Sequence, residues 1–168
     1  MRHIKQNSTI SRILVPIDFS ACSTAALDYA VALAKPLNAD LILIHVIEPF
    51  PYNVIEGLTF VDYGARLTSE TQALLDTLSK RPLKEKLSVA THLTGGVPFR
   101  EIIYMAEREK ADLIVMGTHG RTGFDHLFTG SVAEKVVRLA SCPVLTIRSE
   151  RTPSKKKTVK RARKRVRR

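Results

Sequence analysis

The sequence predicts an open, doubly wound α/β domain: a five-stranded parallel sheet with helices on both faces. Three observations predict it. Five short apolar runs alternate with segments of helical periodicity, giving the order βαβαβαβαβ. Strands separated by helices pair in parallel through right-handed crossovers. Apart from Leu87–Leu93, the runs are apolar at most positions rather than every second one, as in strands buried on both faces. The length, 168 residues with 44% hydrophobic content, suits one domain with a core of its own.

Ile10–Ile17 is the first predicted strand. Ser20–Lys35 follows as a helix with Ala25, Ala26, Tyr29, Ala30, Leu33 and Ala34 on its apolar face, closed by Pro36 and Asn38. Leu41–Ile47 is the second strand. Glu48–Gly64 has two prolines, two glycines and no clear period, and reads as a long loop or lid. Ala65–Ser79 places Leu67, Thr71, Leu74, Leu75 and Leu78 on one helical face. Leu87–Leu93 alternates as a third strand.

After Gly95-Gly96, Pro98 sits at the first turn of a helix, where its missing N–H costs little. That helix buries Phe99, Ile102, Ile103 and Ala106. Leu113–Met116 is the fourth strand, ending at Gly117. Ser131-Val-Ala-Glu134 has the spacing of a capping box. The helix it opens buries Val132, Ala133, Val136, Val137 and Ala140, and Pro143 stops it before a fifth strand, Val144–Ile147.

Charge is unevenly placed. Residues 151–168 hold 11 of the 27 Lys and Arg and no acid, so residues 1–150 carry 16 basic and 16 acidic side chains and no net charge. The basic segment, with almost nothing to bury, is expected to be disordered. Three readings of it stay open: a solubilising tail, one that attaches to nucleic acid or another polyanion without sequence preference, since no aromatic is interleaved for base stacking, and one that meets an anionic membrane surface. No run approaches 18 consecutive apolar residues, so no membrane span is expected. Met1 to Ser11 are polar and basic without an apolar h-region and do not read as a secretory signal, which points to a cytoplasmic protein. Cys22 and Cys142 are too few for a disulfide framework or a four-cysteine zinc site and read as packed side chains.

In such sheets ligands bind at the carboxyl ends of the strands, where the strand order reverses. The first strand ends in Pro16-Ile17-Asp18-Phe19-Ser20 and the fourth in Met116-Gly117-Thr118-His119-Gly120. The chain then continues through Arg121 to Gly130-Ser131, opening a helix whose N-terminus favours an anion. Thr118, Ser131, Arg121 and the loop amides are candidate phosphate contacts. Asp18 either caps the first helix or meets a ligand. His45 reads as a core or rim histidine, and His119 and His126 as turn residues. There is no G-x4-G-K-[ST] phosphate loop, nucleophile elbow or kinase motif set, and no metal-ligand cluster.

The spacing Gly117, Gly120, Gly130, Ser131 is G-x2-G-x9-G-S. It resembles the ATP-binding signature of the universal stress protein (UspA-like) family. Ile13–Ser20, Leu43–Val46, Asp112–Gly117 and Ser141–Ile147 match the family's other strand segments, so the resemblance covers Ser11 to Arg148. The domains expected on that basis are an extension over 1–10, the family domain over 11–149 and the basic tail over 150–168. The resemblance implies a flavodoxin-like, Rossmann-like sheet of strand order 3-2-1-4-5 with ATP in the crevice. Asp18 and the backbone near Pro16 and Ile17 would contact adenosine, and the Val46 backbone would hydrogen-bond adenine. Met116 and Gly117 would lie against the nucleoside, and Gly120, Gly130, Ser131 and Val132 would hold the phosphates, with Arg121 adding charge. Magnesium would ride on the phosphates rather than on protein ligands. The family's closing strand implies a homodimer through Val144–Ile147.

With no base over a γ-phosphate in view, the expectation is a regulator or sensor that changes conformation with nucleotide and hydrolyses it slowly at most, not an enzyme. Two alternatives stay open. One is a nucleic-acid-associated accessory protein whose α/β body is a dimerisation platform. The other is a slow ATPase or autophosphorylating protein.

Overall fold

The computed structural model describes residues 9–48, 60–118 and 130–148. Five strands and four helices alternate along them: β1 Arg12–Pro16, α1 Ala21–Leu37, β2 Asp40–Ile47, α2 Phe60–Lys84, β3 Val89–Gly95, α3 Pro98–Arg108, β4 Leu113–Gly117, α4 Ser131–Leu139 and β5 Val144–Ile147. The sheet is parallel throughout, in the order β3-β2-β1-β4-β5. The expected fold class and strand order are those observed. The expectations for the extension over 1–10 (save its last two residues), for most of Glu48–Gly64, for His119, Gly120, Arg121 and His126, and for the basic segment lie outside the described residues.

Each strand's alternation divides its side chains between two cores. Ile13, Val15, Leu41, Leu43 and Val115 pack with Ala26, Leu27, Ala30 and Ala34 of α1 and Leu75 of α2. Leu14, Ile42, Ile44, Ile114 and Met116 pack on the other face with Ile102, Met105 and Ala106 of α3 and Ala133 and Val136 of α4. Burial on both faces explains why the strand runs show little polar alternation. None of the described helices is long and apolar enough to cross a membrane.

Three helices end in the same way. Asn38, Lys86 and Lys110 are left-handed, at φ 51°, 60° and 51°. The next N–H of each turn reaches back to Ala34 O (3.1 Å), Pro82 O (3.1 Å) and Ala106 O (2.8 Å) from Ala39, Leu87 and Ala111, all three of them buried. These are Schellman closures, made here without glycine. They correct two expectations. Pro36 lies inside α1 and does not close it, and Pro82 lies inside α2, which runs on past Ser79 to Lys84. Each proline forfeits only its own N–H in the last turn, and the left-handed residue makes the stop.

Helix α2 also starts earlier than expected, at Phe60, so residues 60–64 are helical. A single glycine, Gly64, costs about 1 kcal/mol against alanine, which a 25-residue helix tolerates. Some predicted core positions face solvent: Tyr29 is 50% exposed, Leu74 54% and Val137 52%, while Leu27 is fully buried in place of Tyr29. The arc of each helix that meets the sheet is narrower than its apolar stripe.

A left-handed non-glycine residue costs roughly 1–2 kcal/mol, partly offset by the extra freedom of an unfolded glycine. Lys110→Gly is therefore expected to leave stability unchanged or raise it by up to about 1 kcal/mol, whereas β-branched Lys110→Val lowers it by about 1–2 kcal/mol. Urea midpoints of the three proteins check this; a valine variant as stable as the parent contradicts the assigned closure.

Candidate functional site

The chain crosses from one face of the sheet to the other between β3 and β4, so the strand order reverses between β1 and β4. That places the crevice at their carboxyl ends. Two connections leave the sheet there.

The first runs from β1 to α1. Ile17 N–H donates to Ile44 O at 2.8 Å. His45, 8% exposed, has its Nδ1 2.6 Å from Ile17 O. A carbonyl only accepts, so Nδ1 carries the proton and donates. Asp18 Oδ1 accepts from Ser20 N–H at 3.0 Å, and Asp18 N–H donates to Ser23 Oγ at 3.3 Å. Ser20 is the N-cap of α1, its Oγ accepting from Ser23 N–H at 3.1 Å. Between Asp18 and the cap, Phe19 is held at φ 62°, a costly conformation for a bulky side chain, with its ring centroid 4.7 Å from that of His45. Asp18 thus closes the turn before the cap, and Ser20 itself is the cap.

The second connection runs from β4 to α4. Met116 is buried in the core shared with α3 and α4. At Gly117 an added Cβ would stand 2.8 Å from Cys22 Cβ and 2.9 Å from Cys22 C, so the strand end lies directly against the first turn of α1. Thr118 N–H donates to Ile147 O at 2.9 Å, and Thr118 O accepts from Gly130 N–H at 2.7 Å. Thr118 and Gly130, the described residues on either side of 119–129, are thus bonded to each other.

Helix α4 corrects the capping-box reading. Gly130 is the N-cap, extended at φ −53° and ψ 144°, with no side-chain cap bond. Ser131 is the first helical residue, and Glu134 N–H donates to Gly130 O at 3.0 Å. With the cap one residue earlier, Glu134 is the fourth helical residue, one too far along to close the box. The N–H groups of Ser131, Val132 and Ala133 consequently have no intrahelical acceptor. Gly130 spends its own N–H on Thr118.

Val46 lies on β2, in register with Thr94 of β3. Asp40 N–H donates to Ser11 O and Ile44 O accepts from Ile17 N–H, so the even-numbered residues of β2 turn their main chain toward β1. Leu41 N–H donates to Ser88 O and Ile47 O accepts from Gly96 N–H, so the odd-numbered ones face β3. Pairing with β1 ends at Pro16–Ile44. Val46 therefore directs one donor and one acceptor to the side where β1 has already turned away.

The structure thus brings Pro16, Ile17, Asp18, Met116 and Gly117 to adjoining strand ends, with Val46 at the open side of β2 and Gly130, Ser131 and Val132 at the start of α4. Gly120 and Arg121 lie outside the described residues. The engaged role of His45 was not foreseen; the one signal for it was a polar residue inside the apolar run Leu41–Ile47. Among the described residues no three His, Cys, Asp or Glu side chains group to hold a metal ion. Cys142 is half-buried, and burial pushes its thiol pKa up.

An open α/β sheet with a crevice at its switch point, bordered by main-chain amides that no described strand or helix pairs, defines a class of small-ligand-binding folds. The model of the universal stress protein family matches residues 9–148, and the chain belongs to that family. It is 37% identical over 139 residues to the universal stress protein MJ0531 of Methanocaldococcus jannaschii, covering 82% of this chain and 81% of that one. The solved structure of the MJ0577 protein of the same organism superposes with a TM-score of 0.75 at 29% identity, covering 85% of this chain and 99% of the other. A universal stress protein from Archaeoglobus fulgidus, solved in complex with dAMP, shares the fold at a TM-score of 0.60 and 23% identity, covering 83% and 99% of the two chains.

The contact at Gly117 makes a direct prediction. Gly117→Ala forces β4 and α1 apart and is expected to cost about 1–3 kcal/mol of stability, the usual range for overpacking. Thermal unfolding of the two proteins checks it; an unchanged midpoint would show that the backbone contact has room to spare.

Proposed function

We propose that the crevice binds an adenine nucleotide, ATP with magnesium, and that the protein is a nucleotide-dependent regulator of the stress response. The observation that carries this reading is the pair of main-chain surfaces at one end of the sheet that have no partner among the described strands and helices. On one side, Val46 offers N–H and C=O together. Adenine presents an acceptor (N1) beside a donor (the N6 amine), which matches that pair; guanine presents the reverse. On the other side, the N–H groups of Ser131, Val132 and Ala133 offer three donors at a helix N-terminus, an anion site.

Asp18, with Oδ1 on Ser20 N–H, has its second oxygen for a ribose hydroxyl. Pro16, Ile17, Met116 and Gly117 border the nucleoside, and Gly120 and Arg121 complete the phosphate loop on the family pattern. Gly130 serves by shape, since its N–H goes to Thr118. The ion rides on the phosphates. That the Archaeoglobus protein of this fold was solved in complex with dAMP supports the reading.

Binding rather than catalysis is supported by how the described titratable groups are used: Asp18 Oδ1 is tied to its own turn and His45 Nδ1 to Ile17 O. Any hydrolysis is slow, and the nucleotide acts by changing the surface shown to a partner. Strand β5 is an edge of the sheet, and we place a second copy of the chain along Val144–Ile147.

Calorimetry on the full chain tests the reading. We expect saturable uptake of Mg-ATP at one per chain, with GTP at least about tenfold weaker because a mismatched buried pair costs about 1–3 kcal/mol. No heat at millimolar Mg-ATP would sink it.

A second reading concerns residues 151–168, which lie beyond the matched region 9–148 and carry 11 basic side chains and no acid, on a body with no net charge. This segment supplies sequence-independent attachment to nucleic acid. If about six charges meet phosphates, log K falls with log salt at a slope near −5. Deleting 151–168 is expected to abolish retention on duplex DNA and RNA while sparing ATP uptake. Undiminished retention after the deletion would place the contact elsewhere.

A further inference from the structure

Parallel pairing between β1 and β2 follows a simple series. The N–H of each even-numbered β2 residue meets the carbonyl of the β1 residue one before its register partner, as Asp40 N–H meets Ser11 O at 2.8 Å. Ile17 N–H to Ile44 O, at 2.8 Å, is the last rung seen. The next rung would be Val46 N–H to Ile17 O. It is not made. Ile17 O instead takes the Nδ1–H of His45, at 2.6 Å and in a buried setting. A buried carbonyl left bare would be costly, and here a side chain satisfies it in place of the main chain.

We propose that His45 is a positioning residue for nucleotide: by capping Ile17 O it stops the β1–β2 ladder one rung early and leaves the Val46 N–H for the base. This rests on the adenine-nucleotide reading of the crevice and adds a device to it. The same side chain also supports the strained turn, since its ring packs against that of Phe19 at φ 62°. Without the imidazole donor, Ile17 O recruits Val46 N–H, the ladder zips one step further, and the base loses its donor. The device needs a proton on His45 Nδ1, because the Ile17 carbonyl cannot donate.

Residue-resolved amide exchange and calorimetry on the full chain test the proposal, using His45→Phe, which keeps a ring but no donor, and His45→Asn, whose side-chain NH2 can donate in place of Nδ1–H. In the unliganded parent, Val46 N–H should exchange at least about tenfold faster than Ile44 N–H, which the register pairs with Val15. Mg-ATP should then slow it. In His45→Phe the Val46 amide should already be slow without nucleotide, and the Kd for Mg-ATP should rise about tenfold. His45→Asn should stay within about threefold of the parent in both readouts.

A Val46 amide as protected as that of Ile44 in the unliganded parent overturns the proposal. So does a His45→Phe variant with parental Kd and parental exchange at Val46. Should His45→Phe not fold, the parent's own exchange pattern still decides. If the parent shows the fast Val46 amide but takes up no ATP, the ladder device stands and the adenine-nucleotide reading falls.

Discussion

Strand β2 runs three residues beyond its last pairing with β1, from Ile44 to Ile47, and that mismatch in strand length is what the crevice is made of. A sheet whose strands ended level would offer closed ladders and no unpaired main chain. Here β1 turns away at Ile17 into a loop that stores strain at Phe19, of order 1–3 kcal/mol, and recovers it through the Ser20 cap, the Asp18 turn and the buried bond from His45. The open side of β2 is thus held by several contacts together.

The two ends of the sheet contrast sharply. At the amino end, three Schellman closures deliver the chain into β2, β3 and β4, and Asp112 Oδ2 accepts from Ser11 N–H (2.9 Å) and Arg12 N–H (3.0 Å). Main-chain groups there are paired within the fold. At the carboxyl end, Val46 and the first turn of α4 keep donors that no strand or helix uses. The two cores, one on each face, hold these groups in fixed relation because every central strand is gripped from both sides. Function in such a fold belongs to the end where pairing is left incomplete.

Much of this was legible in the residues. Leu41–Ile47 and Leu113–Met116 read as strands because double-sided burial removes polar alternation, and Ser20 and Pro98 marked helix starts by local chemistry that tertiary contacts do not override. Helix ends were harder. Asn38, read with Pro36 as the close of the first helix, is the actual stop, but the stops at Lys86 and Lys110 were not seen, because a left-handed lysine leaves no mark in composition. Ser131 and Glu134 have capping-box spacing, yet Gly130 takes the cap, a choice made by its bond to Thr118, far from Ser131 in sequence terms of any local rule. Gly117 was read for its nearness to a ligand, whereas its lack of a side chain is required by α1. His45 read as a core or rim histidine, and it is buried, but its bond could not be read because its partner, Ile17 O, is a main-chain atom just past the end of another strand.

The family membership and the geometry converge on one end of the molecule, and amide shifts of the labelled full chain during titration with Mg-ATP test that convergence most directly. The account predicts movement confined to Ile17, Asp18, Val46, Gly117, Ser131 and Val132 and their loop neighbours, with Asp40, Ser88 and Asp112 at the opposite end unmoved. Shifts centred on those opposite-end residues, or none at saturating nucleotide, would contradict it.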